Sequence, residues 1–348
     1  MVVGAAAVAT GAFSFPSSAL DPPSVSRVGT NVPGGPVAAQ GSVDQASPTA
    51  ATPDHASVAP VASPASSSGG LHVSMAPWQL PAAVSRSVAF ASGGSVLIAG
   101  GLGPAGTVGT IERIAVADGR STVVGRLPDP VHDAGGAILG PWRLVIGGGR
   151  TTQDGTVQRV STEGRATVIG DLPARRADLV AVTVGDEVIV VGGGAAGRAD
   201  PSVLATTDGA RFRTIASLKL AVRYPAVAEL AGRVWVVGGT TSAGDTRAIQ
   251  IVDPATGATK IVARLPRSLS HATAIVLGGR LFIAGGRHAG SPLSTILEID
   301  PRSGRATVAG RLPRSSSDAA GVVLAGVGYL LGGESSGPLA SVVELRLD

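Results

Sequence analysis

The chain has 348 residues, of which 44% are hydrophobic, 15% charged and 3% aromatic, and it contains 50 glycines and 24 prolines. It contains no cysteine, which excludes disulfides, a thiolate metal site and a cysteine nucleophile. The formal net charge of +4 comes without any run of Lys and Arg interleaved with aromatic residues, so nucleic-acid binding is not expected.

The first segment, residues 1–19, resembles a targeting signal. Residues 2–13 are apolar and uncharged, too short for a membrane-spanning helix but long enough for the apolar core of a signal peptide. Small residues at Ser17, Ser18 and Ala19 suit cleavage after Ala19. A basic start is missing, so an apolar tail without a targeting role is the alternative. We expect a protein that is secreted or tethered to the cell surface.

Residues 20–69 are rich in Pro, Ser, Ala, Thr and Gly and show almost no hydrophobic periodicity. Such a segment cannot bury enough apolar surface to offset the entropy lost on ordering, so we expect a disordered linker. It would serve as a spacer behind an export signal or be a leader without function.

From residue 70 onward the chain repeats one pattern, seen most clearly from Leu265 to Gly286: a Leu-Pro entry, an apolar run, a turn, a second apolar run and a Gly-Gly pair. The pattern begins at Leu80, Leu127, Leu172, Leu218, Leu265 and Leu312, in steps of 47, 45, 46, 47 and 47 residues. Five of the six copies open with Leu-Pro, and the copy at Leu218 has Lys219 instead of proline. The Gly-Gly pairs, which start at Gly100, Gly147, Gly192, Gly238, Gly285 and Gly332, recur with identical steps. A period near 47 in a sequence rich in short apolar runs is typical of propeller blades.

Each repeat predicts four strands. The second strand is an unbroken apolar run, as in residues 281–284, which indicates burial on both faces between stacked blades. The third is amphipathic and the fourth is short. The sixth repeat ends at Asp348 after its third strand, and residues 72–76 match the outer strand that precedes every other entry. The sequence therefore predicts an all-β, six-bladed β-propeller over 70–348, closed by an N-terminal strand that completes the last blade.

The Leu-Pro entry, the strand start at His271-Ala272 and the apolar run ending in Gly-Gly resemble a kelch-repeat β-propeller, over about residues 70–348. The usual Tyr and Trp landmarks of the outer half of each blade are missing, so the chain is similar to the divergent bacterial kelch-like group. This resemblance implies a fold and leaves the activity open.

One column of the aligned repeats carries polar or ionisable side chains in all six blades: Arg86, Asp133, Asp178, Tyr224, His271 and Asp318. The preceding position adds His132 and Arg223. We expect this column to begin the innermost strand, which would place the eight side chains around the mouth of the central channel. The loops between the second and third strands should reach the same face with nine more polar residues: Arg150, Asp154, Arg198, Asp200, Asp245, Arg247, Arg287, His288 and Glu334.

Two interpretations of this ring remain open. Convergent charges in a concave site favour ligand recognition. Polar side chains also line water-filled channels where they only form ion pairs with one another and are hydrated, with no ligand. If the ring is a ligand site, Arg86 and Arg223 would bind a carboxylate or phosphate through bidentate hydrogen bonds. His271 or His132, beside an aspartate of the column, would transfer protons. Spacing gives no support to a metal site, and no helix follows the Gly-rich stretches to form a nucleotide loop, so no metal, cofactor or catalytic residue is predicted.

The function predicted from the sequence is non-catalytic binding of a protein or carbohydrate through the loop face at the channel, by a monomeric propeller without a membrane span. The alternative comes from the family resemblance, which implies carbohydrate enzymes such as sialic-acid mutarotases or epimerases. These would use acid/base groups and arginines at the channel mouth. The galactose-oxidase-like copper enzymes of the family need a tyrosine cross-linked to cysteine, which this chain lacks. A purely structural scaffold for protein–protein interaction is a third class, disfavoured by loops of mostly Gly, Thr, Ser and Arg.

Overall fold

The computed structural model describes residues 69–348, and every regular element in that range is a β-strand. The predictions for residues 1–19 and 20–69 lie outside the described residues, apart from Gly69. No helix in the described range is long and apolar enough to cross a bilayer.

The strands form six main sheets, one for each repeat, and short hairpins or extensions accompany some of them. In chain order they are β1 (Leu71–Met75); in blade 1, β2 (Val88–Ser92), β3 (Ser95–Ala99), β4 (Leu102–Gly103), β5 (Gly106–Thr107), β6 (Thr110–Ala115) and β7 (Ser121–Arg126); in blade 2, β8 (Gly135–Leu139), β9 (Trp142–Ile146), β10 (Thr156–Val160) and β11 (Ala166–Asp171); in blade 3, β12 (Ala177–Val184), β13 (Glu187–Ala195), β14 (Arg198–Ala199), β15 (Ser202–Thr206) and β16 (Arg213–Ser217); in blade 4, β17 (Ala226–Leu230), β18 (Arg233–Val237), β19 (Thr240–Thr241), β20 (Gly244–Asp245), β21 (Ala248–Val252) and β22 (Thr259–Arg264); in blade 5, β23 (Thr273–Leu277), β24 (Arg280–Ala284), β25 (Arg287–His288), β26 (Ser291–Pro292), β27 (Thr295–Ile299) and β28 (Ala306–Arg311); and in blade 6, β29 (Ala320–Leu324), β30 (Val327–Leu331) and β31 (Val342–Leu347).

The first strand of every blade lies innermost. These strands contact one another in sequence around the ring, from β2 to β8, β12, β17, β23 and β29, and β29 contacts β2 again. The ring is therefore closed, and the six first strands line a central channel.

The second strands carry the hydrophobic core, which lies between neighbouring blades. Trp235 of blade 4, for example, belongs to one buried cluster with Leu281 and Ile283 of blade 5. Val96 and Ile98 of blade 1 share another cluster with residues of blade 6. The unbroken apolar runs therefore indicated burial on both faces correctly.

Blade 6 is completed by the strand that precedes blade 1, as predicted. Strand β1 pairs antiparallel with β31, from Leu71 opposite Leu347 to Met75 opposite Val343. Just after β1, the indole Nε1 of Trp78 donates to the carbonyl of Val116 in blade 1 at 3.1 Å. The Trp78 ring also lies 6.2 Å from that of Tyr329 in blade 6. The closing segment thus joins the last blade to the first.

The Gly-Gly pairs mark points of close backbone approach between neighbouring blades. In each blade the second glycine donates its N–H to a carbonyl in the entry loop of the next blade, at 2.8–3.0 Å. The six bonds run from Gly101 to Val131, Gly148 to Arg176, Gly193 to Val222, Gly239 to Leu269, Gly286 to Ser316 and Gly333 to Val84. At Gly238, whose φ is 64°, a Cβ would collide with the carbonyl oxygen of Leu269. The glycines recur because this backbone contact leaves no space for a side chain.

Candidate ligand site at the channel mouth

The six residues of the polar column share an uncommon backbone conformation. Their φ angles are 56° at Arg86, 57° at Asp133, 64° at Asp178, 52° at Tyr224, 57° at His271 and 56° at Asp318. The left-handed region costs an L-residue about 1–2 kcal/mol, and Asp and His tolerate it better than most. The column lies just before the innermost strand in five blades and is the second residue of β12 in blade 3.

A closed ring of backbone hydrogen bonds holds these residues in place. The N–H of each one donates to the carbonyl of the column residue in the preceding blade, for example from His271 to Tyr224 at 3.0 Å and from Asp318 to His271 at 2.9 Å. The ring closes where Arg86 donates to Asp318 at 2.9 Å. It satisfies six backbone N–H donors and offsets the backbone strain. One side chain from every blade is thereby fixed at the mouth of the channel.

On one side of the mouth, Arg86 lies between two carboxylates. Its Nη1 is 3.2 Å from Oδ2 of Asp133, and its Nε is 3.3 Å from Oε2 of Glu334. The other oxygen of Glu334 accepts from Nη2 of Arg287 at 2.7 Å. His132 approaches Asp133, with Nε2 3.6 Å from Oδ2. Side chains of four blades, 1, 2, 5 and 6, are therefore connected through charge.

Across the mouth, Arg223 pairs with Asp178, with Nε 2.5 Å from Oδ2. Its Nη2 also lies 3.4 Å from the hydroxyl of Tyr224. The Tyr224 ring stacks on the imidazole of His271, with the centroids 3.8 Å apart and an interplanar angle of 22°. Blades 3, 4 and 5 meet in this half of the site.

His271 forms a chain of hydrogen bonds with the last blade. Its Nδ1 lies 2.7 Å from Oδ1 of Asp318, and the other oxygen of Asp318 accepts from the Ser317 hydroxyl at 2.7 Å. Nε of Arg287 in turn donates to Ser317 Oγ at 3.0 Å. Because the carboxylate accepts at Nδ1, a neutral His271 ring carries its lone pair on Nε2. No hydrogen bond within residues 69–348 involves that nitrogen, which leaves it available as a base.

The buried charges shift one another's ionisation. Burial raises the pKa of Asp133 to about 7; Asp178 and Asp318 add to the rise, and Arg86 partly opposes it. For Asp318, burial alone would raise the pKa, but the hydrogen bond and charge of His271 and the bond from Ser317 hold it below its ordinary value. Burial, followed by the charge of Arg86, lowers the pKa of His132. The pKa values of Asp133 and Asp318, two carboxyl groups of the same column, are therefore shifted in opposite directions.

The column residues surround a pocket of about 110 Å³, and the channel of about 460 Å³ adjoins it. The channel wall consists mainly of Ala, Val and Gly, and Glu229 is the one charged residue among those that line its described part. Apart from Glu229, the charged side chains of this region lie at the mouth. Within residues 69–348 no group of three His, Cys, Asp or Glu side chains is arranged to hold a metal ion.

All eight residues predicted for the mouth lie there. The six column residues line the pocket, and His132 and Arg223 contact it through Asp133 and Asp178.

Arg287 and Glu334, which the sequence placed only among the loops of this face, are integral to the network. They follow the Gly-Gly pairs of blades 5 and 6 and form β-bridges with Ser270 and Ser317, the residues before the column. That position after the glycine pair is the signal that would have found them. Other predicted loop residues bond within their own blades, as Asp200 does with Arg176 and Asp245 with Thr240.

Comparison with known proteins agrees with this fold. A family model for the kelch motif matches residues 268–305. The solved structure titled "Structure of YjhT" is similar with a TM-score of 0.66 and 17% sequence identity, over 77% of this chain and 95% of its own. In all, 763 chains of solved structures match, so the likeness establishes the fold without an activity. A search of curated proteins found no match. With its periodic sequence, its ring of four-stranded blades and the matched motif, the protein is a six-bladed kelch-repeat β-propeller.

Proposed function

We propose that the propeller is a non-catalytic binding protein that recognises a small polar ligand, such as a carbohydrate or the exposed group of a partner protein, at the channel mouth. The observation that carries this proposal is the convergence of one fixed polar side chain from each blade on a single pocket. Holding six non-glycine residues at positive φ costs free energy, and such strain concentrates at functional sites.

The mouth also has the composition of a recognition site. Arg86, Arg223 and Arg287 provide donors, four carboxylates provide acceptors, and the stacked Tyr224 and His271 rings provide a flat apolar surface. Rigid blades hold these groups in place, so a ligand would meet a preorganised set of partners. The apolar channel wall offers no comparable set.

The test is a thermal-shift screen of the protein against sugars, sugar acids, nucleotides and divalent metals, with an Arg86→Ala/His271→Ala variant alongside. A ligand of the mouth should raise the Tm of the wild type in a concentration-dependent manner and leave that of the variant unchanged. A matched control is Arg280→Ala. It removes an arginine that also forms a carboxylate pair, with Glu298, but on the turn that follows the first strand of blade 5, at the opposite face. A ligand that stabilises the wild type and the mouth variant equally would contradict the proposal.

A second candidate function, proton transfer on a carbohydrate, is favoured by one specific observation. Asp133, with its pKa of about 7, and His271, held by Asp318, belong to blades 2 and 5, which are diametrically opposed in a ring of six. Both line the same pocket. An acid and a base on opposite sides of a bound sugar are the arrangement that an epimerase or mutarotase requires.

This alternative is tested by following the interconversion of sugar anomers by NMR, with sialic acid and simple hexoses as substrates. Asp133→Asn and His271→Gln should each slow the reaction by about 100-fold if the two groups transfer protons. The same rate in the wild type and both variants would exclude catalysis at the mouth and leave binding.

Location and assembly are separate proposals. Export or surface tethering follows from the composition of residues 1–69 and is tested by fractionation of cells that produce the full chain. The monomeric state is tested by light scattering.

A further inference from the structure

Blade 6 contains a cavity that is much larger than the equivalent space in its neighbour, blade 5. The residue two positions before the polar column is large in five blades, where it is Val84, Val131, Arg176, Val222 or Leu269. In blade 6 it is Ser316. Leu269 is 4% exposed and belongs to the buried cluster formed by blades 4 and 5, whereas the small Ser316 side chain leaves the corresponding space open.

The two spaces are equivalent, so they can be compared directly. In blade 5 the space lined by Leu269, Ile283 and Leu297 has a volume of about 70 Å³. In blade 6 the space lined by Ser316, Leu330 and Val343, the residues 46 or 47 positions further along, has a volume of about 300 Å³. Protein interiors rarely keep voids of this size. The enlarged cavity also extends inward to Thr273 of β23 and to Ala319, which immediately precedes β29.

The lining of the blade-6 cavity has an apolar part and a cationic end. Its apolar wall is formed by Ala284, Leu312, Leu330, Leu339 and Val343. Arg314, exposed to solvent, also lines the cavity and forms no salt bridge with any residue of 69–348. The hydroxyls of Ser316 and Ser341 are further polar groups. A concave, mostly apolar site with a few polar groups is typical of small-molecule binding.

We propose that the blade-6 cavity binds a small molecule with an apolar body and a carboxylate, the apolar part lying between Leu312 and Leu330 and the carboxylate pairing with Arg314. A guanidinium without an acidic partner recognises a carboxylate in bidentate geometry. The site does not depend on the function of the channel mouth, because its ligand-contacting residues differ from the polar column.

The test uses octanoate and 1-octanol, which share an apolar chain and differ in charge, with binding to the full chain measured by calorimetry. The wild type should bind both, and octanoate more tightly. Arg314→Gln should weaken octanoate binding about tenfold or more and leave octanol binding unchanged. Ser316→Leu, which introduces the residue that blade 5 has, should abolish binding of both and maintain or raise the Tm, because it fills a cavity.

Two further variants keep the proposal falsifiable. Ser316→Val introduces the residue of blades 1, 2 and 4 and replaces Ser316→Leu if that variant does not fold. Arg267→Gln changes the equivalent arginine of blade 5, where Leu269 fills the space, and should leave octanoate binding at the wild-type level. The proposal is overturned if neither probe binds the wild type, if binding survives in both Ser316 variants, or if Arg267→Gln weakens octanoate binding as much as Arg314→Gln.

Discussion

The channel mouth and the outer rim of the blades use charge in opposite ways. At the mouth, the Asp178 side chain is 2% exposed and that of its partner Arg223 is 24% exposed, and the two belong to different blades. At the rim, Arg120 and Asp118 are 80% and 50% exposed and lie two residues apart in one turn. An exposed pair contributes about 0–1 kcal/mol, whereas breaking a buried pair costs about 3–5 kcal/mol. Charged side chains at the rim therefore mainly keep the surface hydrated, whereas the buried ion pairs at the mouth stabilise the local structure.

Apolar side chains at the rim are exposed to solvent, as its charged side chains are. The outer strands expose Val123 at 56% and Val308 at 65%, and their pairing with the third strands is interrupted by β-bulges. Bulges protect an edge strand from pairing with other chains. The outer strand β1 of blade 6 differs from the other outer strands, because it joins the last blade to the first.

The largest effect on stability is expected from deleting strand β1. Deleting residues 70–79 takes away β1 and the buried Trp78, so blade 6 loses its outer strand and its link to blade 1. Loss of a buried tryptophan alone costs about 3–5 kcal/mol, so the Tm should fall by about 10 °C or more. Differential scanning calorimetry measures it. A double variant, His72→Ala/Ser74→Ala, keeps the strand and changes only its exposed side, so its Tm should stay near that of the wild type. An unchanged Tm in the deletion would show that β1 does not close the ring in solution.

A smaller effect tests the contrast between mouth and rim directly. Arg223→Ala leaves the Asp178 carboxylate buried without its partner and should lower the free energy of unfolding by about 3–5 kcal/mol. Arg120→Ala breaks a rim pair and should change it by less than about 1 kcal/mol. Urea denaturation of both variants gives the two values. Equal losses would mean that the mouth pairs are no more important for stability than those of the rim.

The smallest effect concerns pH. The pKa of Asp133 is about 7 in the folded state and close to 4 in an unfolded chain. The folded state thus holds the proton more tightly, and the stability that this carboxyl contributes is complete below about pH 4 and is lost as the pH rises through about 7.

The side chain of Asp133→Asn cannot titrate. The Tm of the wild type should therefore fall between pH 5 and pH 8, and the fall in the variant should be a few degrees smaller. Asp118→Asn is the control at the rim and should follow the wild-type profile. If Asp133→Asn also followed it, the folded protein would not hold a proton on Asp133 near neutral pH.

Much of the fold could be predicted because the repeat is local and periodic. Unbroken apolar runs such as residues 281–284 indicate a buried strand wherever they occur, and glycine pairs such as Gly285-Gly286 mark the close contact that follows. The strand at 72–76 could be recognised as an outer strand because it matches the segment that precedes every other entry, and it pairs with β31 of the last blade. The eight mouth residues were identified by the same alignment.

The sequence by itself thus determined the number of blades, their closure and the residues that surround the channel, since period and burial are encoded along the chain. Only the tertiary structure decided that the column residues take positive φ and bond in a ring, that Arg86 contacts both Asp133 and Glu334, and that burial raises the pKa of Asp133 to about 7. These properties arise between residues of different blades, 45 or more positions apart, and depend on distances and desolvation. The cavity at Ser316 belongs with them, because a void depends on whether the surrounding side chains fill the volume that one small residue leaves.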